Sequence, residues 1–204
     1  MTTMQSRELA VADAFEFTPR TFPDARGVFT APYQEDFFTK AVGHPLRLAQ
    51  SNHGRSRRGT LRGLHYADVP PGQAKYVYCP RGAVLDFVVD IRVGSPTFGV
   101  VDVVRLDPVT FRAVYLPEGV AHGFIALKDD TVISYLCSTL YNPAAEHELN
   151  PLDPALALPL PDGLEPLLSE KDAAAPTLAE AAATRMLPSY AICTAHYARL
   201  RSAS

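Results

Sequence analysis

The chain has 204 residues, 47% hydrophobic and 20% charged, with a formal net charge of −3, the make-up of a soluble globule with one sizeable core. So small an acidic excess argues against a general nucleic-acid or anionic-membrane surface, which needs a surplus of Lys and Arg. Cys79, Cys137 and Cys193 are odd in number and far apart, which fits reduced thiols better than a disulfide framework or a metal site.

The opening MTTMQSRELAVADAF has no basic start followed by an apolar run, so no signal peptide is expected. No stretch approaches the ~18 apolar residues of a membrane span, since Asp86 breaks VLDFVVDI. A cytoplasmic protein without a membrane or nucleic-acid partner is the expectation.

From residue 9 to about 141 the pattern is β. KYVYC (75–79), VLDFVVDI (84–91), VVDVVRL (100–106), AVYLP (113–117), GFIAL (123–127) and TVISYL (131–136) are short β-branched and aromatic runs. Turn-forming PRGA, VGSPTFG, LDPV, PEGV and LKDD separate them, which predicts a sandwich, jelly roll or barrel. In AVLDFVVDIR, alternation puts Leu85, Phe87, Val89 and Ile91 on an apolar face. Asp86, Val88, Asp90 and Arg92 share the other face, which is expected to meet solvent or line a wet cavity.

Residues 142–172 are proline-rich and read as an ordered loop. In the tail, 173–204, Thr177 and Glu180 stand at capping-box spacing after Pro176 and predict a helix of about ten residues. Cys193, Tyr197 and Leu200 at helical spacing predict a second short helix. A single domain over 1–204 is expected.

The segment TLRGLHYADVPPGQAKYV (60–77) sets Arg62, His65 and Lys75 among core-like residues. Arg62 and His65 are three apart and on a regular strand would face opposite sides; a bulge at Gly63 would turn both inward. Taken alone, His65 reads as a core histidine bonded to backbone, and Lys75 as an edge lysine with a buried stem. GVAHGF adds His122. Two barrel histidines raise a metal-binding cupin, but no His-x-His occurs and no ligand set of three or four can be assembled. No metal or other cofactor is expected. Nor is there a nucleophile elbow, a Walker loop or a dinucleotide glycine fingerprint. Tyr135 and Tyr141 alone read as aromatic packing, and Lys171 with Asp172 as a solvated charged loop.

As a set these segments say more. SNHGRSRRGTLRGLHY, PPGQAKYVYCPRGAVLDFVVDIRVGSPTFG, YLPEGVAHGFIAL, ISYLCSTLY and LSEKD, in that order, closely resemble the dTDP-4-dehydrorhamnose 3,5-epimerase family, over about residues 9–175. The resemblance implies a mainly β, cupin-type jelly-roll barrel with short C-terminal helices, metal-free and homodimeric. It implies a dTDP-4-keto-6-deoxyhexose substrate. It makes His65 the general base, Asp172 the carboxylate that orients it, Tyr135 the acid on the opposite sugar face and Lys75 the cation near the keto oxygen. Arg26, Gln50, Asn52, Arg62 and His122 become substrate contacts, with Glu146 and Lys171 at weaker matches.

These residue types suit the chemistry. A 4-keto group acidifies the C–H bonds at C3 and C5, so inversion needs a proton removed from one face and returned to the other. Histidine titrates near neutrality and a phenol can give a proton back; an ammonium stabilises the enolate oxygen as charge develops; arginines hold a diphosphate through paired N–H donors. Two positions depart from the family pattern: Ala31 in RGVFTA where Glu is usual, and Leu158 where Trp often precedes a proline. Such variants occur in secondary-metabolite sugar pathways, where some members invert only C3 or only C5. Two alternatives stand beside this reading: another cupin enzyme, such as a nucleotide-sugar 3,4-ketoisomerase or a metal oxygenase, and a non-catalytic sugar-nucleotide binder. The binder would be expected to have lost the base or the phenol.

Overall fold

The computed structural model describes residues 4–203. Its frame is two antiparallel sheets. The six-stranded sheet has the order β1 (Gln5–Glu8), β2 (Phe15–Thr18), β10 (Ala113–Leu116), β7 (Lys75–Arg81), β12 (Thr131–Cys137), β5 (Gln50–Ser56). The five-stranded sheet has the order β13 (Glu146–Glu148), β6 (Leu61–Ala67), β11 (Ala121–Ala126), β8 (Val84–Val89), β9 (Val101–Leu106). The two form the expected jelly roll. A separate hairpin, β3 (Thr21–Asp24) with β4 (Gly27–Thr30), stands outside both sheets.

Between the sheets, Val77, Val114 and Ile133 of one meet Val84, Val88, Val104 and Phe124 of the other. Both outer faces are covered as well. Phe17, Tyr76 and Tyr115 pack under α1 (Glu35–Val42), which presents Phe38 and Val42. Leu61, Leu64, Phe87 and Ile125 pack under Leu149, Leu156, Leu164 and Ala181 from the C-terminal third. The alternation read in AVLDFVVDIR holds within β8, whose second face turns into the barrel, and the expectation is corrected only at Asp90 and Arg92. Val84, Asp86 and Val88 point into the barrel, while Phe87 and Val89 are buried beneath the C-terminal segment. Asp90 and Arg92 lie past the end of β8. There the fully buried Arg92 bonds Asp90, Asp13 and Tyr197, tying the N-terminal segment to the last helix.

Three further corrections concern elements. Helix α1 interrupts the stretch read as purely β. The proline-rich segment carries β13 and a four-residue helix, α2 (Glu170–Ala173). Helix α3 (Leu178–Ala183) has the expected capping box at Thr177 and Glu180 but only six residues. The last helix, α4 (Tyr190–Ser202), buries Cys193 and Tyr197 as the spacing required. Leu158 packs against the outer cluster. Among the described residues, no helix is long and apolar enough to cross a membrane.

Candidate active site

The site begins with a register change in β6. His65 pairs with His122 and Arg62 with Phe124, so three steps along β6 oppose two along β11. That is the bulge expected at Gly63. Gly63 has φ +111°, and a Cβ there would lie 2.6 Å from the Gly123 Cα and the His122 carbonyl oxygen. Only glycine permits so close an approach of the strands. The bulge brings Arg62 and His65 into one cleft.

Nε2 of His65 donates to Oδ1 of Asp172 at 2.8 Å, which leaves Nδ1 as the proton-accepting nitrogen. His65 is therefore not a core histidine bonded to backbone. Asp172 is buried, not part of a solvated loop. Burial would raise its carboxyl, but hydrogen bonds from His65, Ser169 and the Gly63 N–H outweigh it and hold the group below the usual carboxylate range. A carboxylate that stays ionised favours and orients the imidazole beside it.

The inner part of the cleft, about 180 Å³, is lined by His65, Lys75, His122 and Tyr135, together with Asn52, Arg62, Gln73 and Cys137. His65 comes from one sheet and Tyr135 from the other, so imidazole and phenol enter the cavity from facing walls. Burial, with the charge of Asp86 adding to it, pushes the Tyr135 phenol well above its ordinary value; it stays protonated, as a donor must. His122 stands edge-on to Tyr135, with ring centroids 5.8 Å apart. Its Nε2 is 2.8 Å from Oδ2 of Asp86. Full burial raises the Asp86 carboxyl, opposed by His122 and Lys75, and its Oδ1 has no hydrogen-bond partner.

The outer part, about 460 Å³, shares Arg62, His65, Tyr141 and Glu146 with the inner one and adds Glu148, Ser169, Lys171 and Asp172. Lys171 forms an ion pair with Glu148 at the rim. The outer part thus sets two cations, Arg62 and Lys171, among the carboxylates of Glu146, Glu148 and Asp172, and the two cations are the groups able to meet a phosphate-bearing ligand.

Nine of the eleven residues expected from the sequence thus line one cleft: His65, Tyr135, Asp172, Lys75, Asn52, Arg62, His122, Glu146 and Lys171. Gln50 stands behind it, its amide engaged with the Asn52 side chain and the Tyr141 N–H at 2.7 and 2.9 Å. Arg26 is on the exposed turn of the β3–β4 hairpin, paired with Asp24 at 2.6 Å, and does not line the cleft. Sequence reasoning missed Asp86 as the partner of His122, and Glu148, Gln73 and Cys137 as lining. The polar Asp86 inside VLDFVVDI was the available signal. Among the described residues, no group of three or more His, Cys, Asp and Glu is placed to hold a metal ion.

A family model described as dTDP-4-dehydrorhamnose 3,5-epimerase matches residues 8–180. The chain is 54% identical to a dTDP-4-dehydrorhamnose 3-epimerase of Streptomyces niveus over 192 residues, 94% of this chain and 92% of that protein. It is 49% identical to the dTDP-4-dehydrorhamnose 3,5-epimerase of Mycolicibacterium smegmatis over 198 residues, 97% and 98% of the two chains. A solved 3'-monoepimerase from Streptomyces bikiniensis, in complex with dTDP-quinovose, is similar with a TM-score of 0.90 and 46% identity, over 93% of this chain and 96% of that one.

Proposed function

The chain belongs to the dTDP-4-dehydrorhamnose 3,5-epimerase family, and we propose that its cleft performs the reaction with His65 as base and Tyr135 as acid. It is an isomerase, a carbohydrate epimerase that inverts C3, C5 or both in a dTDP-4-keto-6-deoxyhexose of deoxysugar biosynthesis. The observation that carries the residue assignment is the entry of imidazole and phenol from facing sheets into one cavity with Lys75.

In this reading the sugar takes the inner cavity and the nucleoside diphosphate the outer one. Nδ1 of His65 removes the proton next to the ketone, with Asp172 stabilising the imidazolium that forms. Lys75 offsets charge on the enolate oxygen. Tyr135 then delivers a proton to the other face of the same carbon, which inverts it. Asn52 and His122 hydrogen-bond the sugar, and Arg62 and Lys171 meet the diphosphate. Lys171 must leave Glu148 in part to do so. Solvent deuterium incorporation tests the assignment.

We propose further that the protein is a cytoplasmic homodimer. The β3–β4 hairpin supports the dimer, because it exposes Phe22, Val28 and Phe29 together, an apolar surface of the kind that interfaces cover. A dimer in which this hairpin crosses to the second subunit would also bring Arg26 to a cleft.

A further inference from the structure

We infer that Ser169 is a positioning residue for the base: its hydroxyl caps α2 and so fixes the Asp172 carboxylate against His65. The inference rests on the proposed role of the His65–Asp172 pair.

A helix of four residues closes too few hydrogen bonds to hold its own shape, and its first N–H groups need outside partners. Ser169 supplies one. It stands at the N-cap with extended backbone, φ −73° and ψ 157°. Its Oγ accepts from the Asp172 N–H at 3.0 Å, and its carbonyl from the Ala173 N–H at 3.0 Å. Asp172 is thus the third residue of the helix, the position a serine cap is built to serve. Fixing its N–H fixes its backbone, and the backbone sets where the carboxylate points.

The rest of the segment shows why this one contact matters. Ahead of Ser169, the Leu167 N–H donates to the Gly59 carbonyl at 2.8 Å and the Leu167 carbonyl accepts from the Leu61 N–H at 2.9 Å. That anchor moors the segment to the start of β6, and Asp172 meets the same strand again at His65. Ser169 lies between the two moorings. Without its hydroxyl the Leu167 mooring and the Gly63 N–H bond survive while α2 loses its cap and the carboxylate its bond from Ser169, so the loss falls on the placement of Asp172 and not on the barrel. Ser169 lines the outer cleft, so the test must also separate positioning from substrate contact.

Ser169→Ala and Ser169→Thr are prepared in the full chain. Two readouts are taken: steady-state kcat and KM, and the His65 Nε2–H proton signal in 15N-histidine-labelled protein without substrate. Ser169→Ala is expected to lower kcat about tenfold at a KM within about twofold of wild type. Its Nε2–H signal should broaden as the bond to Asp172 loosens, and Ser169→Thr, which keeps the capping hydroxyl, should restore both. Wild-type kcat with a wild-type Nε2–H signal in Ser169→Ala overturns the inference, as does a rise in KM alone. If His65→Asn exchanges substrate protons undiminished, the underlying base assignment falls and the inference falls with it. If His65→Asn abolishes exchange while Ser169→Ala keeps wild-type kcat, only the inference about Ser169 falls.

Discussion

His65 and Asp172 stand 107 residues apart in the chain, yet Nε2 of one lies 2.8 Å from Oδ1 of the other. In the proposed mechanism the carboxylate sets which imidazole nitrogen carries the proton and stabilises the imidazolium formed on proton abstraction. Replacing it by an amide keeps the shape and removes the charge. Asp172→Asn is therefore expected to lower kcat by about 10²-fold or more while KM stays near wild type. Steady-state assay of the variant checks this, and an unchanged kcat would show that the carboxylate does not orient the base.

Tyr135→Phe removes one oxygen from the wall facing His65. The base can still take a proton, and the enolate then regains it from the side it left, with retention. Solvent deuterium should wash into the sugar while little inverted product forms. Nuclear magnetic resonance of the recovered sugar reports both. Inversion at an undiminished rate would reduce Tyr135 to a packing role.

Acid stability should depend on Asp107. Its side chain is 9% exposed, and burial, which would raise the carboxyl, is outweighed by the Thr110 N–H, Arg105 and the Val109 N–H, leaving it lowered to about 2. A lowered carboxyl stabilises the fold above its unfolded value, near 3.8, and that contribution is lost as pH falls from about 4 towards about 2. Asp107→Asn is expected to cost about 2 kcal/mol at pH 7. The gap from wild type should shrink as pH is lowered below about 4. Denaturant unfolding at a neutral and an acid pH measures both.

The exposed hairpin makes a prediction about assembly. Phe29 is 70% exposed and leads the apolar surface assigned to the dimer contact. Light scattering at micromolar concentration should find a dimer for wild type and a monomer for Phe29→Glu. A wild-type monomer contradicts the dimer.

Much of the site was legible in the chain because its parts sit on strands with regular alternation. Gly63 between Arg62 and His65 announced a bulge, since only an irregularity lets two polar residues three apart share a cavity. The inward Asp86 was readable in the same way, but its partner was not: His122 lies 36 residues away, and register between strands is set by three-dimensional packing. Helix α1 went unread because Phe37 and Phe38 in EDFFTKAV favour strands as readily as helices. The acidic first turn and Gly43 in the left-handed C-cap at φ 93° were the signals for it. Asp172 was hidden most deeply. LLSEKD has the composition of a solvated loop, and the pairing of Leu167 with Gly59 and Leu61 is a long-range contact that composition does not show. Only the resemblance of the whole motif set pointed to it.

In the proposed mechanism His65 breaks a substrate C–H bond. A dTDP-4-keto-6-deoxyhexose incubated with enzyme in D2O, with deuterium read carbon by carbon, tests it directly for wild type and His65→Asn. Deuterium is expected at C3, C5 or both with inversion for wild type, and no incorporation for His65→Asn even though the variant still binds the nucleotide. Undiminished incorporation at either carbon by His65→Asn would contradict that mechanism.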